Sequence, residues 1–246
     1  MTTRDEILYG RLKLWQPDPG PRVNMDTVLL AAYVRLRSRG ESSFVELGSA
    51  TGAVSLMLAL RFPKKFHVTG LEIQPDLVEL AQRNRVENGL EDRVSFRCMD
   101  LREHRSIPAG SFDGLVVNPP YEEEGRGRKS PVEGLTIARQ GSCCSLRDVV
   151  EAASWLLKYR GKFFAVFSSE RSAEFLTRLT EAGIVPKRLR FIHSRSGKRA
   201  GLLLVEGMKK GGTGLVVEPP LFVYGENGEY TEDLLRAYTP EGLPCL

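Results

Sequence analysis

The segment with the clearest chemical signature is Asn118-Pro119-Pro120-Tyr121, which directly follows the apolar run 112–117. Two consecutive prolines fix two backbone φ angles and remove two N–H donors. The segment therefore presents two acceptors, the side-chain carbonyl of Asn118 and the main-chain carbonyl of Pro119, which suit the two hydrogens of a planar amino group. Accepting both hydrogens localises the lone pair of the nitrogen and orients it for attack. Since Tyr121 can stack on a flat substrate, these four residues are the predicted catalytic residues.

A glycine turn supplies a second candidate site. Gly48 and Gly52 lie between the predicted strand 43–47 and the predicted helix 53–61, where open α/β sheets bind nucleotides. Their spacing is not the G-x-G-x-x-G pattern of dinucleotide binding. Glu46 ends the strand, and an acid there repels a pyrophosphate but attracts the ammonium group of a methionine moiety. The turn therefore favours S-adenosylmethionine over NAD.

Further acids follow the next two predicted strands. Glu72 ends the second strand, where its carboxylate can accept both hydroxyls of a ribose in charge-assisted hydrogen bonds. Asp100 follows the third strand, where it can accept from the amino group of an adenine. The predicted cofactor-binding residues are Asp26, Glu46, Gly48, Ser49, Gly52, Glu72, Ile73, Asp100, Leu101 and Asn118.

The elements around these residues alternate between short apolar strands and amphipathic helices. Besides those at the turn, the pattern predicts strands 67–71, 94–98, 112–117, 162–167, 188–193 and 202–206 and helices 75–88, 145–159 and 170–182. Such alternation predicts a parallel sheet with helices on both faces. The last two strands leave no room for a helix between them, so they must form an antiparallel hairpin at one edge. A seven-stranded, mostly parallel α/β sheet of this kind is typical of Rossmann-like class I methyltransferases.

Length and composition limit the size of the domain and the classes of protein to which the chain can belong. The 246 residues suffice for one large domain, and 41% apolar with 27% charged residues is ordinary for a globular chain. The net charge of +4 permits an anionic partner without indicating one. Four cysteines and three histidines show no metal-site spacing, so no metal is predicted. The chain shows neither a membrane span nor a signal sequence, which predicts a cytoplasmic protein.

Three regions are predicted along the chain. Residues 43–210 form the methyltransferase core, residues 211–246 form a tail with one strand at 215–217 or 221–224, and residues 1–42 form an extension packed on the cofactor cleft. The extension contains an apolar helix opened by Asp26. Asp26 is a candidate cofactor residue, although an acid in a first helical turn is also favoured by the helix dipole alone.

The motifs carry a family resemblance. The run 112–121 (FDGLVVNPPY) resembles motif IV of amino-group N-methyltransferases, and 44–52 (FVELGSATG) resembles their motif I. Residues 14–30, 186–193 and 219–231 are similar to segments of the bacterial valine-tRNA adenine-N6 methyltransferases. That resemblance implies S-adenosylmethionine-dependent methylation of the N6 amine of the adenine beside the anticodon of tRNA(Val). It also implies that Glu46, Gly48, Gly52, Glu72 and Asp100 bind the cofactor and that residues 118–121 bind the target amine.

Basic residues concentrate in the predicted hairpin. The stretch 187–210 contains eight lysines and arginines and a single acid, Glu206, which predicts phosphate contacts. A charged edge strand that resists aggregation is the alternative interpretation. The predicted tRNA-binding residues, from this stretch and from the polar loop 121–141, are Arg126, Arg128, Lys129, Arg195, Lys198 and Arg199.

Other functions stay open at this point. A protein-glutamine N5-methyltransferase presents the same two-hydrogen geometry to its catalytic segment, and DNA adenine-N6 methylation is a further variant. An idle cofactor-binding domain used as an RNA-binding module is the alternative outside enzymes, although the intact Asn-Pro-Pro-Tyr segment argues against it.

Overall fold

A twisted sheet with helices packed against it forms the centre of the molecule, as given by a computed structural model that describes residues 1–36, 40–62, 64–119, 144–239 and 241–243. Within these residues the strands are β1 (Thr2–Ile7), β2 (Leu12–Pro17), β3 (Ser42–Leu47), β4 (Phe66–Glu72), β5 (Val94–Cys98), β6 (Phe112–Val117), β7 (Leu157–Ser168), β8 (Ile184–His193), β9 (Ala200–Lys209), β10 (Val216–Val217) and β11 (Leu221–Phe222). The α-helices are α1 (Met25–Tyr33), α2 (Ala53–Arg61), α3 (Pro75–Glu87), α4 (Leu146–Leu156), α5 (Ser172–Glu181) and α6 (Glu232–Ala237).

The topology confirms the predicted fold class. The strand order is β10-β8-β9-β7-β6-β3-β4-β5, and β11 also pairs with β8. Strand β9 runs antiparallel to both β7 and β8, while the remaining pairings are parallel. The seven predicted strands are therefore all present, with the antiparallel hairpin at one end. Two short strands from the tail lie beyond β8, so the predicted alternatives 215–217 and 221–224 are both partly realised.

Two glycines in the sheet allow large aromatic side chains to fill its faces. A Cβ on Gly114 of β6 would lie 2.2 Å from the ring of Phe44, and one on Gly70 of β4 would lie 2.5 Å from the ring of Phe96. Phe44 is 2% exposed and stacks on Phe164 of β7. Because helices cover both faces, the strands carry apolar residues almost continuously. The close contacts thus pack β3 against β6 and β4 against β5 beneath the strand ends that carry the site.

Several boundaries differ from the sequence prediction; for example, β8 begins at Ile184 rather than at 188, and β9 spans Ala200–Lys209 rather than 202–206. The helix predicted for 145–159 ends at Leu156, and β7 begins at Leu157 with Arg160 at a φ of +60°. Helix α1 begins at Met25 rather than at Asp26, because Asn24 is its N-cap and accepts a hydrogen bond from the main chain of Thr27. Side-chain caps therefore set the start of both α1 and α4, since Ser145 forms a capping box at α4.

An N-terminal hairpin, β1–β2, was missed by the sequence analysis. It packs on α3 through Asn84, which is fully buried. The Oδ1 atom of Asn84 accepts from the main chain of Trp15 at 2.6 Å, and its Nδ2 atom donates to the carbonyls of Trp15 and Thr51, each at 3.0 Å. Since Thr51 belongs to the glycine turn, one amide connects the extension, α3 and the predicted cofactor loop.

Candidate active site

Three predicted site residues meet at the carboxyl edge of the sheet. In the ladder, Leu47 of β3 pairs with Leu71 of β4 on one side and with Val117 of β6 on the other. Glu46, Glu72 and Asn118 each lie within one residue of this level. Adjacent strands are about 4.8 Å apart, so the three strand ends span roughly 10 Å. This edge of a parallel sheet is the usual ligand site of doubly wound folds.

The glycine turn has the open geometry expected of a ligand loop. Gly48 and Gly52 have φ values of +67° and +83°, which favour glycine. The turn is held by hydrogen bonds from the main chains of Gly48 and Ser49 to the carbonyl of Leu71, at 2.9 and 3.0 Å. A Cβ at Gly48 would meet nothing within 4 Å, whereas one at Gly52 would lie 2.3 Å from the Phe96 ring. Gly48 thus leaves space above the strand ends, and Gly52 allows the turn to pack on β5.

Glu46 is a buried carboxylate aimed at the start of α2. Its Oε2 atom accepts hydrogen bonds from both the main chain and the hydroxyl of Ser55, while among the described residues Oε1 has no hydrogen-bond donor. Burial raises the pKa of Glu46 to about 8, against the lowering effect of the Ser55 bonds and with a further rise from Glu72. An adjacent cation would reverse this shift, as the predicted ammonium contact requires.

Glu72 holds the glycine turn in place. Its Oε2 atom accepts from the main chain of Ala50 at 2.9 Å, and Oε1 accepts from the main chain of Gln74 at 3.0 Å. Oε1 also accepts from the side-chain amide of Gln74 at 3.4 Å, whereas Oε2 accepts a single bond from the described residues and retains a further lone pair. Within the described ranges, the buried hydroxyl of Ser49 has no hydrogen-bond partner, and it lies 2.7 Å from where a Cβ of Gly70 would stand. The turn therefore offers carboxylate and hydroxyl groups together.

Asp100, which follows β5, already has hydrogen-bond partners for its carboxylate oxygens. Asp100 caps the short 3₁₀ helix Leu101–Ser106 by accepting from the main chain of Arg102, and it also pairs with the Arg102 guanidinium. That hydrogen-bonded pair lowers the pKa of Asp100 below its ordinary value. Ile73 is 40% exposed, and Leu101 packs partly buried against the sheet core. The predicted adenine contact of Asp100 would have to share these oxygens with Arg102.

The first two residues of the Asn-Pro-Pro-Tyr segment lie at the carboxyl edge of the sheet. Asn118 is half-buried and Pro119 is buried, directly after β6. Pro120 and Tyr121 lie outside the described residues, as do Arg126, Arg128 and Lys129. Asp26 occupies the first turn of α1, a position that the helix dipole favours.

The basic stretch 187–210 does not form the uniform charged surface that its composition predicts. Arg188 and Arg190 are 7% and 1% exposed, and both are paired with acids. Arg188 contacts Glu206 and Glu218, each at 3.0 Å, and the Arg190 guanidinium contacts Asp233 at 2.7 Å. These arginines are structural, because Glu206 of β9 and two acids of the tail, Glu218 and Asp233, are their counterions.

The three arginines and lysines predicted in the turn are placed differently. Arg195, Lys198 and Arg199 belong to the exposed turn between β8 and β9. Because β8 is parallel to β7 and β6, this turn lies at the same sheet edge as Asn118. Arg199 forms an exposed ion pair with Glu170 at 3.2 Å.

The residues present fit S-adenosylmethionine. A carboxylate oxygen of Glu46 and the hydroxyl of Ser49 are without partners among the described residues, and Gly48 leaves room for a ligand. A second acid, Glu72, lies on the neighbouring strand. In the described part of the chain no cluster of histidine, cysteine, aspartate or glutamate could hold a metal ion. No helix among those described is long and apolar enough to cross a membrane.

Fold and site together define a Rossmann-like methyltransferase architecture. Residues 44–123 match a family model described as a methyltransferase domain. The chain is 27% identical over 244 residues to the tRNA1(Val) (adenine(37)-N6)-methyltransferase of Porphyromonas gingivalis, with 96% of this chain and 94% of that protein covered.

Two solved structures show the same fold. One is a predicted O-methyltransferase from Agrobacterium tumefaciens, with a TM-score of 0.71, 21% identity and coverage of 89% of this chain and 98% of that one. Another is a geranyl diphosphate methyltransferase in complex with SAM, with a TM-score of 0.53, 16% identity and coverage of 74% and 82%. These likenesses show the fold, and the match to the methyltransferase domain together with the site residues supports a methyltransferase that uses S-adenosylmethionine.

Two residues that shape the site escaped the sequence analysis. Ser55 is the partner of Glu46, and Asn84 connects the glycine turn to the N-terminal hairpin. Ser55 was detectable as the one hydroxyl in the otherwise apolar first turns of α2. The charged sequence of α3 gives no comparable signal for Asn84, whose partners are distant in the chain.

Proposed function

We propose that this protein is an S-adenosylmethionine-dependent methyltransferase that modifies the N6 amine of an adenine in tRNA. The observation that carries the proposal is the position of Asn118 and Pro119 at the end of β6, next to the strand that ends in Glu46 and the glycine turn. The match to a tRNA adenine-N6 methyltransferase over nearly the whole chain supports the choice of substrate. We further propose tRNA(Val), at the adenine beside the anticodon, and hence a cytoplasmic location.

The cofactor would supply an activated methyl group on a sulfonium centre. Glu46, once deprotonated, would bind its ammonium group through Oε1, and Glu72 would bind the ribose hydroxyls while still holding the glycine turn. Asp100 with Leu101 and Ile73 would line the adenine side. We also propose that residues 1–42 close this cleft, with residues 43–210 as the catalytic core and 211–246 as the tail.

The chain's own contribution to methyl transfer is orientation of the acceptor. The Asn118 carboxamide oxygen and the Pro119 carbonyl would accept the two amine hydrogens, which localises the lone pair on the nitrogen. Because Pro119 is buried and its ring fixes φ, the acceptors are held in place before substrate arrives. Pro120 and Tyr121 complete the proposed site, with Tyr121 stacking on the target base.

The test is a transfer assay with methyl-labelled S-adenosylmethionine. Total tRNA, DNA and total protein are offered separately, and labelled tRNA is digested to nucleosides. We expect N6-methyladenosine in tRNA and no label with Asn118→Ala. Label in glutamine side chains or in DNA would replace the tRNA assignment by one of those substrates, and RNA binding without transfer to any acceptor would refute the enzymatic function.

A further inference from the structure

A loop of the tail stands beside the basic turn at the carboxyl edge. Residues 223–231 leave β11 and fold back, with the main chain of Thr231 donating to the carbonyl of Val223 at 3.1 Å. The main chain of Tyr224 donates to the carbonyl of Ser194 at 2.9 Å. Since β11 is parallel to β8, this loop and the turn 194–199 project from the same sheet edge as Asn118.

The loop carries a stacked pair of tyrosines. The rings of Tyr224 and Tyr230 are 5.2 Å apart between centroids and inclined by 21°. The guanidinium carbon of Arg195 lies 5.6 Å from the centre of the Tyr224 ring. These separations are those of offset stacking and of a cation–π contact. The result is an arginine–tyrosine–tyrosine arrangement in which Tyr230 is 55% exposed.

The loop has anchors besides the tyrosine pair. Leu221 and Val223 are buried and anchor it to the core, and a main-chain bond of 2.9 Å from Gly225 to Glu229 closes the turn. Asn227 adds a bond to the main chain of Glu229 at 3.0 Å. More than half of the Tyr230 surface is therefore free to contact a partner while the loop is held by other residues.

The charges around the pair indicate which partner it suits. Arg195 and Lys198 form no ion pair within the described residues, but Arg199 is neutralised by Glu170, and the acids Glu226 and Glu229 lie on the loop itself. The patch is therefore only weakly attractive to phosphate. A binding partner would therefore gain its binding free energy mainly from stacking on the rings. This favours unpaired bases over a duplex that is recognised through its backbone.

We propose that Tyr224, Tyr230 and Arg195 form a stacking platform for an unpaired RNA base other than the methylated adenine. This inference rests on the proposed tRNA substrate. Four strand spacings separate β6 from β11. At about 4.8 Å each they span about 19 Å, which is about five to six times the roughly 3.4 Å rise of a stacked base. The platform thus binds a second nucleotide of the same loop and orients the hairpin over the catalytic site.

The experiment uses anticodon hairpins with 2-aminopurine at one loop position at a time. We compare the full chain with Tyr230→Ala and with Tyr230→Phe, which keeps the ring. We expect the native chain to quench 2-aminopurine fluorescence at one loop position other than that of the methylated adenine. Tyr230→Ala should abolish this quenching and raise KM for the RNA about 10-fold, with kcat within twofold. Tyr230→Phe should behave like the native chain.

The outcomes separate the two proposals. Unchanged quenching and unchanged KM in Tyr230→Ala, with active methylation of the hairpin, would overturn the platform alone. Failure of the native chain to methylate any tRNA would overturn the proposed function and the platform with it. Affinity for S-adenosylmethionine and the midpoint of urea unfolding are measured for each variant. If both equal those of the native chain, the change in KM is due to lost contact with the RNA.

Discussion

Glu46 makes the proposed cofactor contact measurable by counting protons. Burial raises its pKa to about 8, so the side chain is protonated at neutral pH before any ligand binds. An ammonium group beside Oε1 would stabilise the carboxylate, and binding would then require loss of that proton. At pH 7 a group of this pKa is protonated in roughly nine molecules of ten, which predicts release of about 0.9 proton per S-adenosylmethionine bound.

The affinity should follow the same titration. Between pH 6 and pH 7 the Kd for S-adenosylmethionine should fall about tenfold, and above about pH 8.5 the contribution of Glu46 should level off. Calorimetric titrations in buffers of different ionisation enthalpy give the number of protons released directly. Glu46→Gln serves as the control, because it keeps the shape of the side chain and leaves only the change in protonation of the ligand's own amine.

Stability provides an independent measurement of the same group. Between its ordinary pKa of 4.5 and about 8, the folded state holds a proton on Glu46 that the unfolded state has lost. The free energy of unfolding of the ligand-free protein should therefore fall as pH rises, by about 4 kcal/mol from this group between pH 5 and pH 8. Glu46→Gln should remove that slope. Equal proton release by the native protein and Glu46→Gln, or equal pH slopes in urea unfolding, would refute the assignment.

Other substitutions test the remaining parts of the site. Asn118→Ala should lower single-turnover methylation by about 10²–10³-fold with the Kd for S-adenosylmethionine within twofold, and loss of cofactor binding would contradict its role toward the amine. Asn84→Ala should lower the free energy of unfolding in urea by about 3 kcal/mol and weaken cofactor binding. The control Asn88→Ala loses bonds to the hairpin but none to the glycine turn, so it should leave cofactor affinity unchanged. Equal cofactor affinities in the two variants would show that Asn84 does not support the site. Arg195→Glu combined with Lys198→Glu should weaken RNA binding and reduce its log–log salt slope, by at most about 1.4 if both side chains contact phosphates; an unchanged slope would exclude the turn from the RNA surface.

The strand ends that form the site follow from local sequence. Runs of apolar residues between turn residues mark β3, β4, β5 and β6, and parallel strands bring their carboxyl ends to one edge. Glu46, Glu72 and Asn118 could therefore be grouped before any coordinates were known. The partners of the carboxylates could not be predicted. Ser55 binds Glu46 and Arg102 binds Asp100 through helix starts and short turns, and the sequence pattern does not specify the geometry of such turns.

The errors share a different cause, which is distance along the chain. The alternating basic pattern around Arg188 and Arg190 is typical of a solvated edge strand, but their partners Glu218 and Asp233 come from the tail. The charged β1–β2 hairpin likewise gains its place from Asn84, some seventy residues away. Local periodicity gives no information on such pairings, since each depends on which elements become neighbours after folding.

The ion pairs of β8 make the tail a part of the folded sheet. Arg188 contacts Glu206 of β9 and Glu218 of the tail, and Arg190 contacts Asp233 of the tail. Removing one partner of a buried ion pair costs about 3–5 kcal/mol, and both Arg188 and Glu218 are buried. The tail therefore stabilises the strand from which the basic turn projects, and a change in the tail alters the sheet edge that carries the candidate site.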